Sequence, residues 1–196
     1  KWPYSSLSIG YQTGRQESSF EPENKKHYSG DINIVSADFY MSGEAFSLSL
    51  GSSLEKTSDD FNSSDKEQTY NYISASYFSS GFYVTPSLYT SNSYFSNSNY
   101  IYKTLGSSLS LSYIPQHSPY NFSFYVSHDR NQSNDQYTFN DSVSAGVSLD
   151  WKMKLSQKNE QILTFKIQNY SYIDHVYKES NNSDLFFGVS WRLVSF

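Results

Sequence analysis

Apolar and small polar residues alternate along most of this chain, most regularly from Val143 to Leu155. Every second residue of that stretch is apolar, and the residues between are serine, glycine, aspartate or lysine. Because successive side chains of a β-strand point to opposite faces, the stretch has one apolar face and one polar face. It is longer than the usual soluble strand of about 5–6 residues and has the length of a tilted membrane strand.

The same period-two pattern recurs in ten segments, and helical periodicity is nearly absent. The segments lie at about 2–13, 30–42, 44–56, 68–80, 82–92, 102–115, 119–130, 141–156, 160–172 and 184–196. Short connections at 42–43, 80–81, 116–118 and 157–159 alternate with long polar ones near 14–29, 57–67, 93–101, 131–140 and 173–183. This alternation of short turns and long loops is typical of transmembrane barrels.

We therefore predict an all-β fold, a transmembrane antiparallel up-and-down β-barrel of ten strands, with eight or twelve as alternatives. Residues 1–196 form its single domain. Strand one should pair with strand ten, since a membrane sheet cannot leave an unpaired edge. A β-bulge near Val35 is expected, because Ile32 and Ile34 share one face and Ala37 lies on the other. Pro86 falls within the fifth strand, where it removes a ladder hydrogen bond.

The composition agrees with a membrane barrel. Aromatic residues make up 18% of the chain and hydrophobic residues only 37%, with a mean hydropathy of -0.63. A barrel needs apolar residues only at alternate positions, because polar residues fill its lumen and loops. No stretch approaches the roughly 20 apolar residues of a membrane helix. The start at Lys1 is compatible with a signal peptide or an upstream domain that precedes this chain.

Charge and cysteine content narrow the possible partners. The chain has no cysteine, so neither disulfides nor thiolate metal ligands are available. Its formal net charge is -5 and its basic residues are scattered, which argues against a nucleic-acid partner. We predict no cofactor and no metal site.

The C-terminal strand carries a family resemblance. Apolar residues occupy every second position of this strand, and the chain ends in Phe196; the apolar set is Leu185, Phe187, Val189, Trp191 and Leu193. In this the chain resembles bacterial outer-membrane β-barrel proteins as a general class, although Phe196 is one residue out of phase with the set. The resemblance implies a Gram-negative outer membrane, with its lipid and lipopolysaccharide as partners. It also implies that Phe196 is the signal read by the barrel-assembly machinery.

An even number of strands puts both termini on the short-turn side, which is periplasmic in such barrels, and the long loops outside the cell. Trp2, Trp151 and Trp191 then fall near the periplasmic rim. Amphipathic indole rings favour the headgroup layer, so we interpret these three residues as membrane-interface anchors.

Several charged residues fall on the predicted inner face: Asp38, Glu55, Asp129, Asp150, Lys152, Lys154, Lys166 and Arg192. Buried charges are costly unless paired, so a salt-bridged plug near the periplasmic end is one interpretation, with Asp150 or Lys152 beside Lys166 and Arg192. A selectivity ring around a conduit is the other.

The predicted barrel is narrow. Ten strands give a backbone diameter of roughly 20 Å, from which inward side chains remove about half, so a wide porin channel is excluded. Tyrosines predicted to point inward are expected to fill the remaining lumen: Tyr40, Tyr70, Tyr72, Tyr83, Tyr89, Tyr125 and Tyr170.

Three functions remain open. The first is a non-enzymatic anchor or accessory subunit of an envelope assembly, with a protein partner and with loops for recognition, since tyrosine and asparagine suit adaptable contacts. The second is a narrow conduit for export of a glycan or small solute. The third is a surface protease of the omptin type, which needs Asp and His at the outer rim to activate water.

The rim candidates for such a protease are Asp59-Asp60, His128-Asp129 and Asp174-His175. Adjacent residues of a strand point to opposite faces, so the members of one pair cannot share a water. His128 is predicted to point outward and Asp129 inward. We therefore predict that the protein is not an enzyme.

Overall fold

A computed structural model describes residues 4–20, 26–58, 65–154 and 159–195. These residues form ten β-strands: β1 (Tyr4–Phe20), β2 (Lys26–Ser42), β3 (Phe46–Thr57), β4 (Lys66–Ser79), β5 (Phe82–Phe95), β6 (Tyr100–Tyr113), β7 (Tyr120–Ser133), β8 (Phe139–Lys154), β9 (Asn159–Asp174) and β10 (Asn182–Ser195). A single 3-10 turn, Lys178–Ser180, precedes β10. In the described part of the chain, no helix is long and apolar enough to cross a membrane.

All ten strands belong to one antiparallel sheet whose spatial order is the chain order, β1 to β10. This confirms the predicted class, number and up-and-down order of the strands. Several strands run further than expected. β1 and β2 form a continuous ladder from the pair Tyr4 and Ser42 to the pair Phe20 and Lys26, across most of the segment predicted to be a loop. The extensions lack an apolar face, so their sequence has no strand signature although their backbones pair.

The connections predicted to be short lie at one end of the sheet, the turn end, and those predicted to be long lie at the other, the loop end. The predicted turn at Ser80 and Gly81 is confirmed. Both residues have positive φ, 49° and 86°, which is the two-residue hairpin geometry that matches strand twist. A Cβ on Gly81 would lie 2.7 Å from the carbonyl oxygen of Ile114, so this position also requires glycine for space.

The bulge predicted near Val35 is wrong. β2 keeps one register with β1 and with β3 throughout, so Ile32 and Ile34 simply lie on the polar face. Ile34 stands opposite Gln12 and Glu55 there, near the loop end, where an isolated apolar side chain does not break the pairing.

Pro86 interrupts the ladder between β4 and β5 without changing its register. Backbone pairing stops after Ser74 and resumes at Tyr77. Side chains bridge the gap, because the hydroxyl of Ser74 donates to the Pro86 carbonyl at 3.5 Å and the hydroxyls of Ser76 and Thr85 are 3.0 Å apart.

The sheet is open in this structure. No ladder joins β1 to β10 among the described residues, so the pairing predicted between them is not observed. No hydrophobic side chain of the described residues is buried, and the edge strands are the most exposed, with Ile9 at 75% and Phe187 at 73%. A soluble sheet would bury its apolar face in a core; this sheet presents that face outward, as a membrane strand does toward lipid.

Candidate functional site

The sheet has two chemically different faces, which follow from strand alternation and register. One face carries the apolar rows, such as Leu109, Val126 and Ala145 on β6 to β8. The other carries serine, glycine, tyrosine and charged residues. Membrane barrels turn the apolar face to lipid and the polar face to the lumen. We refer to the polar face as the inner wall and to the apolar face as the outer face.

A symmetrical row of residues crosses the inner wall on six consecutive strands. Each member is the direct cross-strand partner of the next, in the order Asp38, Gly51, Tyr72, Tyr89, Gly106 and Asp129. The phenol of Tyr72 donates to Asp38 Oδ1 at 3.2 Å, and the phenol of Tyr89 donates to Asp129 Oδ1 at 2.6 Å. Each tyrosine therefore reaches over a glycine to an aspartate two strands away. We call this set the Tyr-Gly-Asp row.

The two glycines make this arrangement possible. A Cβ on Gly51 would lie 2.0 Å from Cε1 of Tyr72, and a Cβ on Gly106 would lie 2.1 Å from Cε1 of Tyr89. Each ring thus occupies the space that a side chain would fill and rests against the backbone of the neighbouring strand. The rings of Tyr72 and Tyr89 thus lie along the inner wall. That the inward tyrosines fill the lumen stays a prediction.

A second tyrosine repeats the pattern nearer the turn end. Tyr125 is the cross-strand partner of Gly146, which in turn pairs with Gln168. A Cβ on Gly146 would lie 2.5 Å from Cε1 of Tyr125, and the Gln168 amide donates to the Tyr125 hydroxyl. Placing a tyrosine over a glycine is therefore a repeated feature of the inner wall.

Tyr70 lies beside the two tyrosines of the row, two residues from Tyr72 along β4. Its ring centroid is 6.0 Å from that of Tyr72 and 5.8 Å from that of Tyr89, and Tyr70 is 37% exposed. Pairs of hydroxyl groups lie on other parts of the inner wall, including Ser87 and Ser108 at 2.7 Å. Around the Tyr-Gly-Asp row, the inner wall thus carries hydroxyl groups and tyrosine rings beside the two carboxylates.

The charged residues predicted for the lumen all fall on the inner wall by alternation, but not as a salt-bridged plug. No ion pair between two described residues involves any of them. Asp150 instead accepts a hydrogen bond from Thr164 Oγ1 at 2.6 Å. The register explains this, because Lys166 stands opposite Ser148 and Gly188 and is only diagonal to Asp150.

Two of the three tryptophans predicted to lie at the membrane interface, Trp151 and Trp191, are among the described residues. Trp151 and Trp191 both pair with Leu163 on the outer face near the turn end, and the ring of Trp151 is 6.2 Å from that of Tyr120. Trp2 and Phe196 lie outside the described residues. The anchoring role of the tryptophans stays a prediction.

A polar cluster occupies the loop end of the outer face, beyond the apolar positions Val126 and Val143. Asp141 is its centre and is 7% exposed. Arg130 donates to it through Nε at 2.9 Å and through Nη2 at 3.2 Å. The Nε2 atoms of His128 and His175 approach its two oxygens at 2.8 Å and 2.6 Å. We call these four residues the rim cluster.

One aromatic ring covers the rim cluster. The ring of Phe139 lies 4.4 Å from that of His175, and the Arg130 guanidinium is 5.7 Å from the Phe139 centroid. The hydrogen bonds from Arg130, and then those from His175 and His128, hold the pKa of Asp141 well below its usual range. Asp141 is thus an ionised carboxylate that ties β7, β8 and the segment after β9 together.

Two of the three residue pairs considered for a protease lie among the described residues. His128 and Asp129 lie on opposite faces, as their alternation predicted. Asp174 accepts backbone hydrogen bonds from Val176 and Tyr177, which lower its pKa and shape the turn after β9. Asp59 and Asp60 lie outside the described residues.

Sequence reasoning missed the rim cluster. His128 and His175 come from two different predicted pairs and meet at Asp141, which the sequence did not single out. The sequence signal for this cluster was weak. Finding it required the register of β7 against β8 as well as the face to which each residue of a strand points. Among the described residues, no group of three or more His, Asp or Glu residues is arranged to hold a metal ion.

Comparison with known proteins supports the fold. No family model matches the sequence, and no curated protein shows a significant match. Among solved structures, OmpT of Vibrio cholerae, an outer membrane protein in its trimer form, has a TM-score of 0.59 at 7% identity, covering 94% of this chain and 64% of its own. The OmpT mutant lacking loop L8 has a TM-score of 0.61 at 7% identity, covering 99% and 62%.

FyuA of Yersinia pestis, a ferric yersiniabactin uptake receptor, has a TM-score of 0.53 at 10% identity, covering 98% of this chain and 38% of its own. The chain therefore spans less than two thirds of the length of these three structures. The protein has the antiparallel fold of bacterial outer-membrane β-barrels. The likeness concerns the fold and reaches no further.

Proposed function

We propose that the inner wall borders a water-filled passage through the outer membrane, and that the protein is a non-enzymatic conduit for a hydrophilic solute. The observation that carries this proposal is the placement of Tyr72 and Tyr89 against the wall over Gly51 and Gly106. A plugged barrel would direct bulky side chains into the lumen. Here the glycines let the rings fold back, which leaves the space in front of the wall to water.

The likeness to solved barrels supports the same proposal. Nearly the whole chain aligns with less than two thirds of the length of longer outer membrane proteins. FyuA, one of the barrels with this fold, is an uptake receptor. We place the loop end outside the cell and the turn end in the periplasm, as short turns and long loops are arranged in such barrels.

Substituted cysteines test the passage directly, because the chain has no cysteine of its own. Ser107 and Ser108 are neighbours on β6 at the same depth, with Ser107 on the outer face and Ser108 on the inner wall. In planar bilayers, Ser108→Cys should lose conductance after reaction with a charged methanethiosulfonate reagent. Ser107→Cys is the matched control and should keep it. Equal responses of the two variants, or no conductance in any variant, would refute the conduit.

The second candidate is an accessory subunit that holds a partner at the outer membrane. The open edges favour it, since the backbone groups of β1 and β10 are unpaired with one another in this structure and a membrane sheet must cover its edges. Purification in mild detergent, followed by mass spectrometry, should then return one stoichiometric companion protein. A barrel that is always recovered alone would remove this candidate.

A further inference from the structure

We infer that the central part of the inner wall is a binding surface for a neutral or cationic oligosaccharide, which names the substrate class of the proposed passage and rests on that proposal. The surface consists of Tyr70, Tyr72 and Tyr89 with the carboxylates of Asp38 and Asp129 at its two ends. In this part of the described wall, aromatic faces and spaced acceptors coincide.

The ring of Tyr70 joins those of Tyr72 and Tyr89 into one aromatic strip. Its centroid is 6.0 Å from that of Tyr72 and 5.8 Å from that of Tyr89, a spacing comparable to the length of one pyranose unit. An aromatic face carries partial negative charge, so it attracts the polarised C–H groups on the flat side of a sugar ring. Tyr70 is 37% exposed and no hydrogen bond is described for its hydroxyl, so its ring is available for such stacking.

The rings are held before any ligand arrives. The hydrogen bonds of Tyr72 to Asp38 and of Tyr89 to Asp129 hold these two rings, and the glycines beneath them provide the space for this orientation. A preorganised surface loses little conformational entropy on binding. The positions of the rings thus favour stacking with a rigid, repeating ligand over contact with a small ion.

The carboxylates of Asp38 and Asp129 limit which ligand charges the surface can bind. Each aspartate uses Oδ1 for its tyrosine, which leaves lone pairs on both carboxylates for sugar hydroxyls or amines. Two carboxylates flanking the strip repel a polyanion. The strip therefore fits neutral glycans and amino-sugar oligomers better than uronic acid oligomers.

Binding is measured on the full-length chain in detergent micelles by calorimetry and saturation-transfer NMR, with cellohexaose, a glucosamine hexamer and a galacturonate hexamer as probes. The first two probes should bind and the galacturonate hexamer should bind at least about tenfold more weakly. Tyr70→Ala should weaken cellohexaose binding roughly tenfold, as loss of one stacked ring predicts. Tyr70→Phe should retain it, because the ring face is unchanged.

Tyr170→Ala is the matched control, since Tyr170 also lies on the inner wall and is 39% exposed, but stands opposite Ser144 and Asp184. Its binding should stay within twofold of the parent chain. Absence of binding by both cellohexaose and the glucosamine hexamer, or equal losses in Tyr70→Ala and Tyr170→Ala, would overturn the inference. These binding measurements do not require conduction. If the protein conducts but does not bind the probes, the glycan-binding inference fails and the proposed conduit stands. If it binds the probes but does not conduct, the proposed conduit fails.

Discussion

Asp129 and Asp141 lie one residue out of register on the β7–β8 hairpin, yet they are stabilised in different ways. Asp129 is on the inner wall and accepts one described hydrogen bond, from a neutral phenol. Asp141 is on the outer face and accepts hydrogen bonds from an arginine and two histidines. At the loop end, beyond the apolar positions of the outer face, three side chains donate to the nearly buried carboxylate of Asp141. The two carboxylates thus show that the two faces of the sheet satisfy a charged group by different means.

The largest expected effect comes from the glycine beneath Tyr89. Gly106→Val should force the ring off the wall and break its bond to Asp129, because a Cβ there would lie 2.5 Å from Asp129 Oδ1 as well as against the ring. Overpacking and the lost hydrogen bond together predict a decrease of about 3 kcal/mol in the free energy of unfolding.

Urea unfolding in micelles, followed by tryptophan fluorescence, measures this change. Gly188→Val is the control, because the nearest atom to a Cβ at Gly188 is Cβ of Lys166 at 3.9 Å. Its stability should change by less than about 1 kcal/mol. Equal destabilisation by both substitutions would show that the ring does not depend on the glycine.

The next effect concerns the rim cluster. Asp141→Asn should release the segment after β9, because His175 loses the carboxylate that holds it. A spin label at Glu179→Cys should then become more mobile by electron paramagnetic resonance. Asp129→Asn is the control and should leave the label unchanged, since Asp129 lies on the other face. A label that responds equally to both substitutions would contradict the separation of the two faces.

Acid should act on the same cluster. The pKa of Asp141 is lowered in the folded state, so its stabilising effect is complete above the ordinary aspartate pKa of about 3.9 and disappears only as pH falls through the lowered value. The label at Glu179→Cys should therefore keep its mobility between pH 7 and pH about 4 and loosen below that range. Release already complete near pH 5 would mean that the carboxylate is not held in this way.

The smallest effect is expected from an exposed ion pair on the outer face. Lys56 and Glu67 are 2.8 Å apart, but their side chains are 60% and 46% exposed. Glu67→Gln should change the free energy of unfolding by less than about 0.5 kcal/mol, because solvent screens such pairs. Urea unfolding beside Asp141→Asn checks it. If Glu67→Gln lowered the free energy of unfolding as much as Asp141→Asn does, the exposure of an ion pair would not predict its contribution to stability.

The strands were predictable wherever one face had to be apolar. The alternation from Val143 to Trp151 located β8, and glycine with a short connection located the turn at Ser80 and Gly81. The strand extensions beyond the apolar belt were not predictable, because their residues do not alternate between apolar and polar and no periodic signal remains. The bulge near Val35 failed for a related reason, since an apolar residue on a polar wall can be tolerated without a change of register.

The site was less accessible to sequence reasoning than the fold. The alternation along each strand was enough to predict which charged residues fall on the inner wall. Which of them form pairs depends on the register between strands, and that register places Lys166 opposite Ser148. The Tyr-Gly-Asp row required the same information on six strands at once. Its components were visible separately, as inward tyrosines and as small residues, and their contact became clear only in three dimensions.

The most direct test of the account is a cysteine scan along β8 in intact outer membranes or lipid vesicles, using a membrane-impermeant maleimide. Ser144→Cys and Ser148→Cys on the inner wall should react, and Ala145→Cys and Val147→Cys on the outer face should not, because lipid covers them. That period-two pattern would establish a wet inner wall behind a lipid-facing surface. Reaction at both parities, or at Ala145 and Val147 alone, would contradict the assignment of the two faces and the passage built on it.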